Sequence, residues 1–333
     1  MNQSTATDLV VGSLRAAPGE VTKGRLSVAS LADGSPVTVP VILVNGSAPG
    51  PCVYIQAAQH GPELTGIDAI RRALAEVDPQ KLRGQIVAIP VVNGPAFNNR
   101  TRQAPYDLED MNRFWPGRAN GSMTELIAFT VWNSAVAQSD VVVDLHTWNW
   151  YTVSHSRMGD EASAKLAQVF GTPVLVREEL DPGFKRAGYD SKLRSVAMAA
   201  GKPAITPELG GGMRLEREQV EMGKRGILNV LKHYGLIEGE LELPPVQTVV
   251  TWDSTCVMRA AVGGLFLTEV TTGQQVAEGD LLGQIVSPGD FQVLQEFRSP
   301  RSGMVATYAE NPVLHTGDAA VTVVPVVGEI HND

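Results

Sequence analysis

His60 and Glu63 stand three residues apart, with Gly61 and Pro62 between them, directly after the apolar run Val53-Tyr54-Ile55-Gln56-Ala57-Ala58. A tight loop at the end of a strand would turn both side chains toward one ion. His146 closes a second apolar run, "DVVVDLH", and is the best candidate for a third ligand. Two histidines and one carboxylate leave a tetrahedral position open, the pattern of a catalytic zinc rather than a structural one. Such an ion acidifies water and polarises a carbonyl. Cobalt or manganese would accept similar donors, so zinc is an inference from ligand type. His155, His233, His315 and His331 are read as ordinary hydrogen-bonded or surface histidines. Cys52 and Cys256 are the chain's two cysteines, too few for a cysteine-based zinc site or a disulfide framework.

The elements that must hold these residues follow from the hydrophobic pattern. Residues 20–45 read as strands around a Gly34-Ser35-Pro36 turn, and "PCVYIQAA" as a buried strand. Residues 64–77 are helical, with Leu64, Ile67, Ile70, Leu74 and Val77 on one face. "GQIVAIPVVN" (84–93) and "DVVVDLH" (140–146) are further buried strands. Between them lie residues 94–121, rich in Asn, Arg, Pro and Asp and without a period, and then a helix over 122–138. A loop that long in a compact domain usually carries function. A helix near 161–170 leads to "TPVLVRE", a helix over 190–200 leads to "PAITPELGGG" (203–212), and a charged helix spans about 214–233. Apolar strands alternating with helices indicate an α/β domain around a mainly parallel or mixed sheet. Ligands in such sheets bind beyond the carboxyl ends of the strands, where His60, His146 and Glu208 all stand.

After "GELELPPVQ" the texture changes to short β-like runs and many glycines. Val276-Ala277-Glu278-Gly279-Asp280 and Leu314-His315-Thr316-Gly317-Asp318 echo each other, each before an apolar run. The expected division is a catalytic domain over 1–240 and a small all-β module over 246–330. The module resembles the barrel-sandwich fold of biotinyl and lipoyl carriers. A carrier needs a modifiable lysine, and no lysine lies between 233 and 333. The module is therefore expected to shape the cleft entrance or an oligomer contact, and a homo-oligomer is left open.

The gross numbers narrow the classes. The 333 residues are 43% hydrophobic and 19% charged, with a net charge of −9. An acidic chain without a basic stripe argues against a nucleic-acid partner. No apolar run approaches the roughly eighteen residues of a membrane span, and the N-terminus lacks the pattern of a secretory signal. No membrane association and a cytoplasmic location are expected.

Taken in order, further motifs support the site: Asn93-Gly94-Pro95-Ala96-Phe97, Arg102-Gln103-Ala104-Pro105-Tyr106-Asp107, Asp110-Met111-Asn112-Arg113-Phe114-Trp115-Pro116-Gly117, Asp144-Leu145-His146 and Glu208-Leu209-Gly210-Gly211. With His60-Gly61-Pro62-Glu63 before them, this series resembles the succinylglutamate desuccinylase/aspartoacylase family of the zinc carboxypeptidase clan, nearest to its N-acetyl diamino acid deacetylase-like members. The resemblance implies a zinc-carboxypeptidase-like fold, with one zinc per chain on His60, Glu63 and His146. It implies Glu208 as general base, Arg102 as stabiliser of the oxyanion, and Asn112 with Arg113 as a clamp on a substrate carboxylate. Asp107 and Asp110 are expected to hold the loop through turn hydrogen bonds. Pro62 departs from the Asn or Asp usual in the family, and Met111 from Leu. The larger departure is "HTWNWYTVSH", where Trp148, Trp150 and Tyr151 follow a ligand. They form either core packing or an aromatic wall that narrows the pocket or receives an apolar or cationic group.

The expected activity is zinc-dependent hydrolysis of the amide of a small N-acylated amino acid or related compound. A carboxypeptidase-like peptidase and a catalytically silent small-acid or partner-binding protein are the alternatives.

Overall fold

The computed structural model of the protein describes residues 6–148, 151–177, 189–211 and 213–332. Its strands up to the C-terminal segment are β1 (Leu9–Val11), β2 (Leu14–Ala16), β3 (Glu20–Ser30), β4 (Pro36–Asn45), β5 (Ala48–Gln56), β6 (Arg83–Ile89), β7 (Val141–Asp144), β8 (His146–Trp148), β9 (Tyr151–Thr152), β10 (His155–Arg157), β11 (Val174–Arg177), β12 (Ala204–Gly211) and β13 (Val246–Thr251). The helices are α1 (Thr65–Ala75), α2 (Gly94–Asn99), α3 (Met123–Val131), α4 (Glu161–Phe170), α5 (Leu193–Ala199) and α6 (Arg217–His233). Eight short strands follow: β14 (Cys256–Arg259), β15 (Gly264–Thr268), β16 (Gln275–Val276), β17 (Leu281–Val286), β18 (Val293–Arg298), β19 (Gly303–Tyr308), β20 (Val313–Leu314) and β21 (Ala319–Val324). The last strand is β22 (Val326–His331).

The large sheet runs β22-β13-β11-β10-β12-β7-β5-β6-β4-β3, with β8 added beside β12. Its centre, β12-β7-β5-β6, is parallel, and β10 joins β12 antiparallel. Successive side chains of a strand point to opposite faces, and here both faces are covered. Val53 and Ile55 of β5 pack with α1, α4 and α6, whereas Cys52 and Tyr54 pack with α3 and α5. That is why β5 and β7 read as continuous apolar runs. Two glycines show how tightly the helices sit. A Cβ on Gly66 of α1 would lie 2.8 Å from Ala57 Cβ and 2.9 Å from Leu145 Cβ, beside the segments that carry His60 and His146. A Cβ on Gly223 of α6 would lie 2.8 Å from Ala69 Cβ of α1.

Two local elements differ from the sequence expectation. The stretch from 94 contains α2, whose six residues are too few to show a period; the Asn93 side chain caps it by accepting from Ala96 N–H at 3.1 Å. The helix expected over 122–138 starts with a Ser122–Glu125 capping box and changes to a π-helical turn over Trp132–Val136, where Ala137 N–H reaches Trp132 O.

The segment expected as a separate module sends its two ends into the large sheet. β13 pairs with β11 and β22 pairs with β13, and the chain between 252 and 325 forms two small antiparallel sheets. Phe266 and Phe297 meet edge-to-face at 5.6 Å in their shared core. The echoing pentapeptides make the same turn twice: Asp280 and Asp318 accept from the N–H of Ala277 and His315, with Gly279 and Gly317 left-handed behind them. β19 also pairs with β9, so this segment abuts the chain that leaves His146. Among the described residues, no helix is long and apolar enough to cross a membrane.

Candidate metal centre and its cavity

The turn after β5 forces His60 and Glu63 together. Ala58 is left-handed (φ 51°), which breaks the strand, and Glu63 N–H bonds His60 O at 3.2 Å. Gly61 N–H bonds Thr101 O, and a Cβ on Gly61 would fall 2.0 Å from Ala96 O. A glycine is required there because the loop backbone comes that close. β12 then brings the other partners in register: Glu208 lies opposite His146 of β8 on one side and His155 of β10 on the other.

His60 Nδ1 lies 2.7 Å from Glu63 Oε1, and His146 Nδ1 lies 2.9 Å from Glu63 Oε2. All three side chains are buried, and one ligand atom from each falls within 4.8 Å of the other two. The outer nitrogens are also spoken for. His60 Nε2 lies 3.0 Å from Asp110 Oδ1, and His146 Nε2 lies 3.0 Å from Asp144 Oδ2. With a proton on each Nε2, both Nδ1 lone pairs point at the same place, the arrangement that orients metal-binding imidazoles. Glu63 Oε2 lacks a well-directed hydrogen bond despite its nearness to His146. A buried carboxylate oxygen without such a donor, between two imidazole lone pairs, fits a divalent cation of the zinc type. Burial opposes ionisation in all three groups, yet attraction outweighs it: Asp144 and Glu63 raise His146, Glu63 and Asp110 raise His60, and the two imidazoles lower Glu63.

Glu208 is buried and only partly compensated. Burial pushes its carboxyl above the ordinary range, against the pull of His146 and Arg157. The result is a carboxylate with enhanced affinity for a proton, as a general base requires.

The loop from Arg102 to Arg118 is held by its acids. Asp107 caps α3 by accepting from Thr124 N–H at 2.7 Å, and Arg118 grips Glu125 through two bonds of 2.6 and 2.9 Å. Asp110 accepts from Asn112 N–H, the turn role expected of it, and also from Arg102 Nε at 3.1 Å and through its contact with His60. One carboxylate thus ties His60, Arg102 and the backbone of the Asn112–Arg113 turn together.

These parts line one cavity of about 260 Å³. Its walls include all seven residues singled out in the sequence: His60, Glu63, Arg102, Asn112, Arg113, His146 and Glu208. They also include Trp148, which the sequence offered as an aromatic wall or core packing, and Thr147, Arg157, Lys192 and Thr206, which sequence reasoning missed. Arg157 is the most telling of these. It sits 5.0 Å from the Trp148 ring and 5.8 Å from the Trp252 ring, with its Nε 3.8 Å from Glu208 Oε1. The Trp148 face is therefore occupied by a cation of the chain itself. Trp150 and the side chain of Tyr151 lie outside the described residues. β10 has only three residues, too short for a periodic signal that would have marked Arg157.

Residues 49–234 match the succinylglutamate desuccinylase/aspartoacylase catalytic domain. The N-alpha-acetyl-L-2,4-diaminobutyric acid deacetylase of Halomonas elongata is 30% identical over 304 residues, 87% of this chain and 86% of that protein. A solved succinylglutamate desuccinylase from Silicibacter sp. TM1040 superposes with a TM-score of 0.81 at 26% identity, covering 98% of this chain and 100% of that one. The product-bound ectoine utilization protein EutE (DoeB) of Ruegeria pomeroyi gives 0.81 at 26% identity, covering 95% and 99%.

Proposed function

The chain belongs to the succinylglutamate desuccinylase/aspartoacylase family, and from that premise we propose that it is a zinc-dependent deacylase that hydrolyses the amide of a small N-acylated amino acid. The observation that carries the proposal is the convergence of His60, Glu63 and His146 beside a buried Glu208 at the strand ends. When bound there, zinc would acidify a water and polarise the substrate carbonyl.

The remaining work falls to the chain's own groups. Glu208 takes a proton from the attacking water and delivers it to the leaving amine, so that amide and water become carboxylate and amine. Arg102, steadied by Asp110, donates to the oxyanion as it develops. Asn112 and Arg113 hold the substrate carboxylate, the guanidinium through its two-pronged fork. Arg157 and Lys192 add positive charge to the wall and favour anionic substrates. Among the described residues, the lining carries no carboxylate besides Glu63 and Glu208. A free side-chain amine, such as the diaminobutyrate relative's name implies, would find no further acidic partner among the described residues of the wall.

A cavity of about 260 Å³ suits a small acyl amino acid better than a peptide chain. Two unpaired cysteines, one of them buried, fit a reducing, cytoplasmic setting. The test is amine release from a panel of N-acetyl and N-succinyl amino acids, with and without a chelator. Hydrolysis that stops on chelation and returns with zinc is expected. Hydrolysis indifferent to chelation would overturn the proposal, and faster cleavage of peptides would favour the peptidase reading.

A further inference from the structure

Behind His146 runs a line of buried polar side chains without a task so far. Tyr54 Oη donates to Gln56 Oε1 at 2.8 Å, and Gln56 Nε2 donates to Asp144 Oδ1 at 2.7 Å. Asp144 Oδ2 then meets His146 Nε2 at 3.0 Å. Tyr54 and Gln56 are fully buried, and Asp144 and His146 nearly so. The line follows from strand register: Tyr54 and Gln56 share one face of β5, and Gln56 lies opposite Asp144 of β7. A glutamine at zero exposure in a strand covered on both faces is costly unless every polar atom is used. Here the amide is used at both ends.

A branch leaves the same amide. Gln59 Oε1 accepts from Trp115 Nε1 at 2.7 Å and stands 3.4 Å from Gln56 Nε2. Trp115 lies two residues beyond Arg113, in the loop of the carboxylate clamp.

We propose that Gln56 is a positioning residue for the metal centre, resting on the reading of His60, Glu63 and His146 as its ligands. Its amide fixes one oxygen of Asp144, which sets the plane of the carboxylate. The other oxygen then holds Nε2–H of His146, so that Nδ1 faces Glu63. Tyr54 locks which way the amide points. The His60 side has a counterpart: Asp110 holds Nε2 and is itself held by Arg102 and Asn112 N–H. Both imidazoles thus rest on carboxylates that cannot turn. Such outer partners act on metal affinity, not only on packing.

Gln56→Met removes the amide's hydrogen bonds to Tyr54, Asp144 and Gln59 at nearly constant length; Tyr54→Phe removes only the outer one. Zinc dissociation constants are measured by competition with a chromogenic chelator, together with the visible spectrum of the cobalt-loaded protein and the thermal midpoint of the apo-protein. Gln56→Met is expected to weaken zinc binding roughly 10- to 100-fold and to shift the cobalt bands. Tyr54→Phe is expected to weaken it by a few-fold. A Gln56→Met protein with parental zinc affinity and cobalt spectrum overturns the proposal, even where its apo-protein melts earlier, because that is a purely structural role. Should Gln56→Met fail to fold, parental affinity in Tyr54→Phe overturns it. A parent protein that takes up no metal overturns the metal centre itself, and this inference with it.

Discussion

Replacing Asp110 by alanine perturbs the centre from outside its ligands. Besides accepting from Asn112 N–H, the carboxylate makes two side-chain contacts of different worth. Its contact with His60 Nε2 is 3.0 Å long and shielded, with side-chain exposures of 16% and 1%. Hydrogen bonds to charged groups in such settings contribute about 1.5–3 kcal/mol, which corresponds to roughly 10- to 150-fold in a binding constant. Its contact with Arg102 is 3.0 Å but the arginine side chain is 40% exposed. Solvent screening reduces that part to under about 1 kcal/mol. The Asp110→Ala protein should therefore lose roughly 10- to 100-fold in zinc affinity through His60. With zinc restored to saturation it should show a further, smaller loss in kcat through Arg102. The assay is chelator competition for the metal, followed by kinetics at saturating zinc. Zinc affinity within twofold of the parent would refute the reasoning, because His60 would then hold its orientation without the carboxylate.

Other outcomes follow from the same geometry. Glu208→Gln should retain metal content while kcat falls by about 10²- to 10⁴-fold, the usual contribution of a positioned base; parental kcat would remove Glu208 from that role. Because burial raises the Glu208 carboxyl and the base must be ionised, kcat/KM should fall as pH drops through a value above the ordinary carboxylate range; a profile whose acid limb lies within that range would contradict the assignment. Gly61→Ala should cripple metal uptake, since the new Cβ would meet Ala96 O at 2.0 Å and spread the ligand turn; metal titration of the variant checks it. Arg113→Lys should raise KM for a carboxylate substrate more than it lowers kcat, as the ammonium cannot reproduce the fork, and steady-state kinetics separate the two.

The candidate centre was legible in the chain because His60 and His146 follow apolar runs and Glu63 lies one turn beyond His60. β5, β7 and β12 are covered on both faces, so they announce themselves; His60 follows β5, His146 follows β7, and Glu208 lies in the second half of β12. What escaped is tertiary. Asp110 was legible as a turn residue, but its contact with His60 spans fifty positions and leaves no local mark. Arg157 lies on a three-residue strand opposite Thr206 of β12, and its approach to Glu208 arises only from that pairing. β13 and β22 share the texture of the glycine-rich segment between them, and only pairing with β11 reveals that they extend the large sheet. Gln56 reads as one polar interruption in an apolar run, and its use appears only once Asp144 stands opposite.

The most direct test is metal content per chain, measured on the purified protein beside His60→Ala, Glu63→Gln and His146→Ala. About one zinc in the parent and almost none in the histidine variants is the predicted result, with Glu63→Gln reduced. A parent that carries no zinc and takes up none when it is supplied would contradict the account, because the convergence of His60 Nδ1, Glu63 and His146 Nδ1 would then be an ion-pair cluster and not a metal centre.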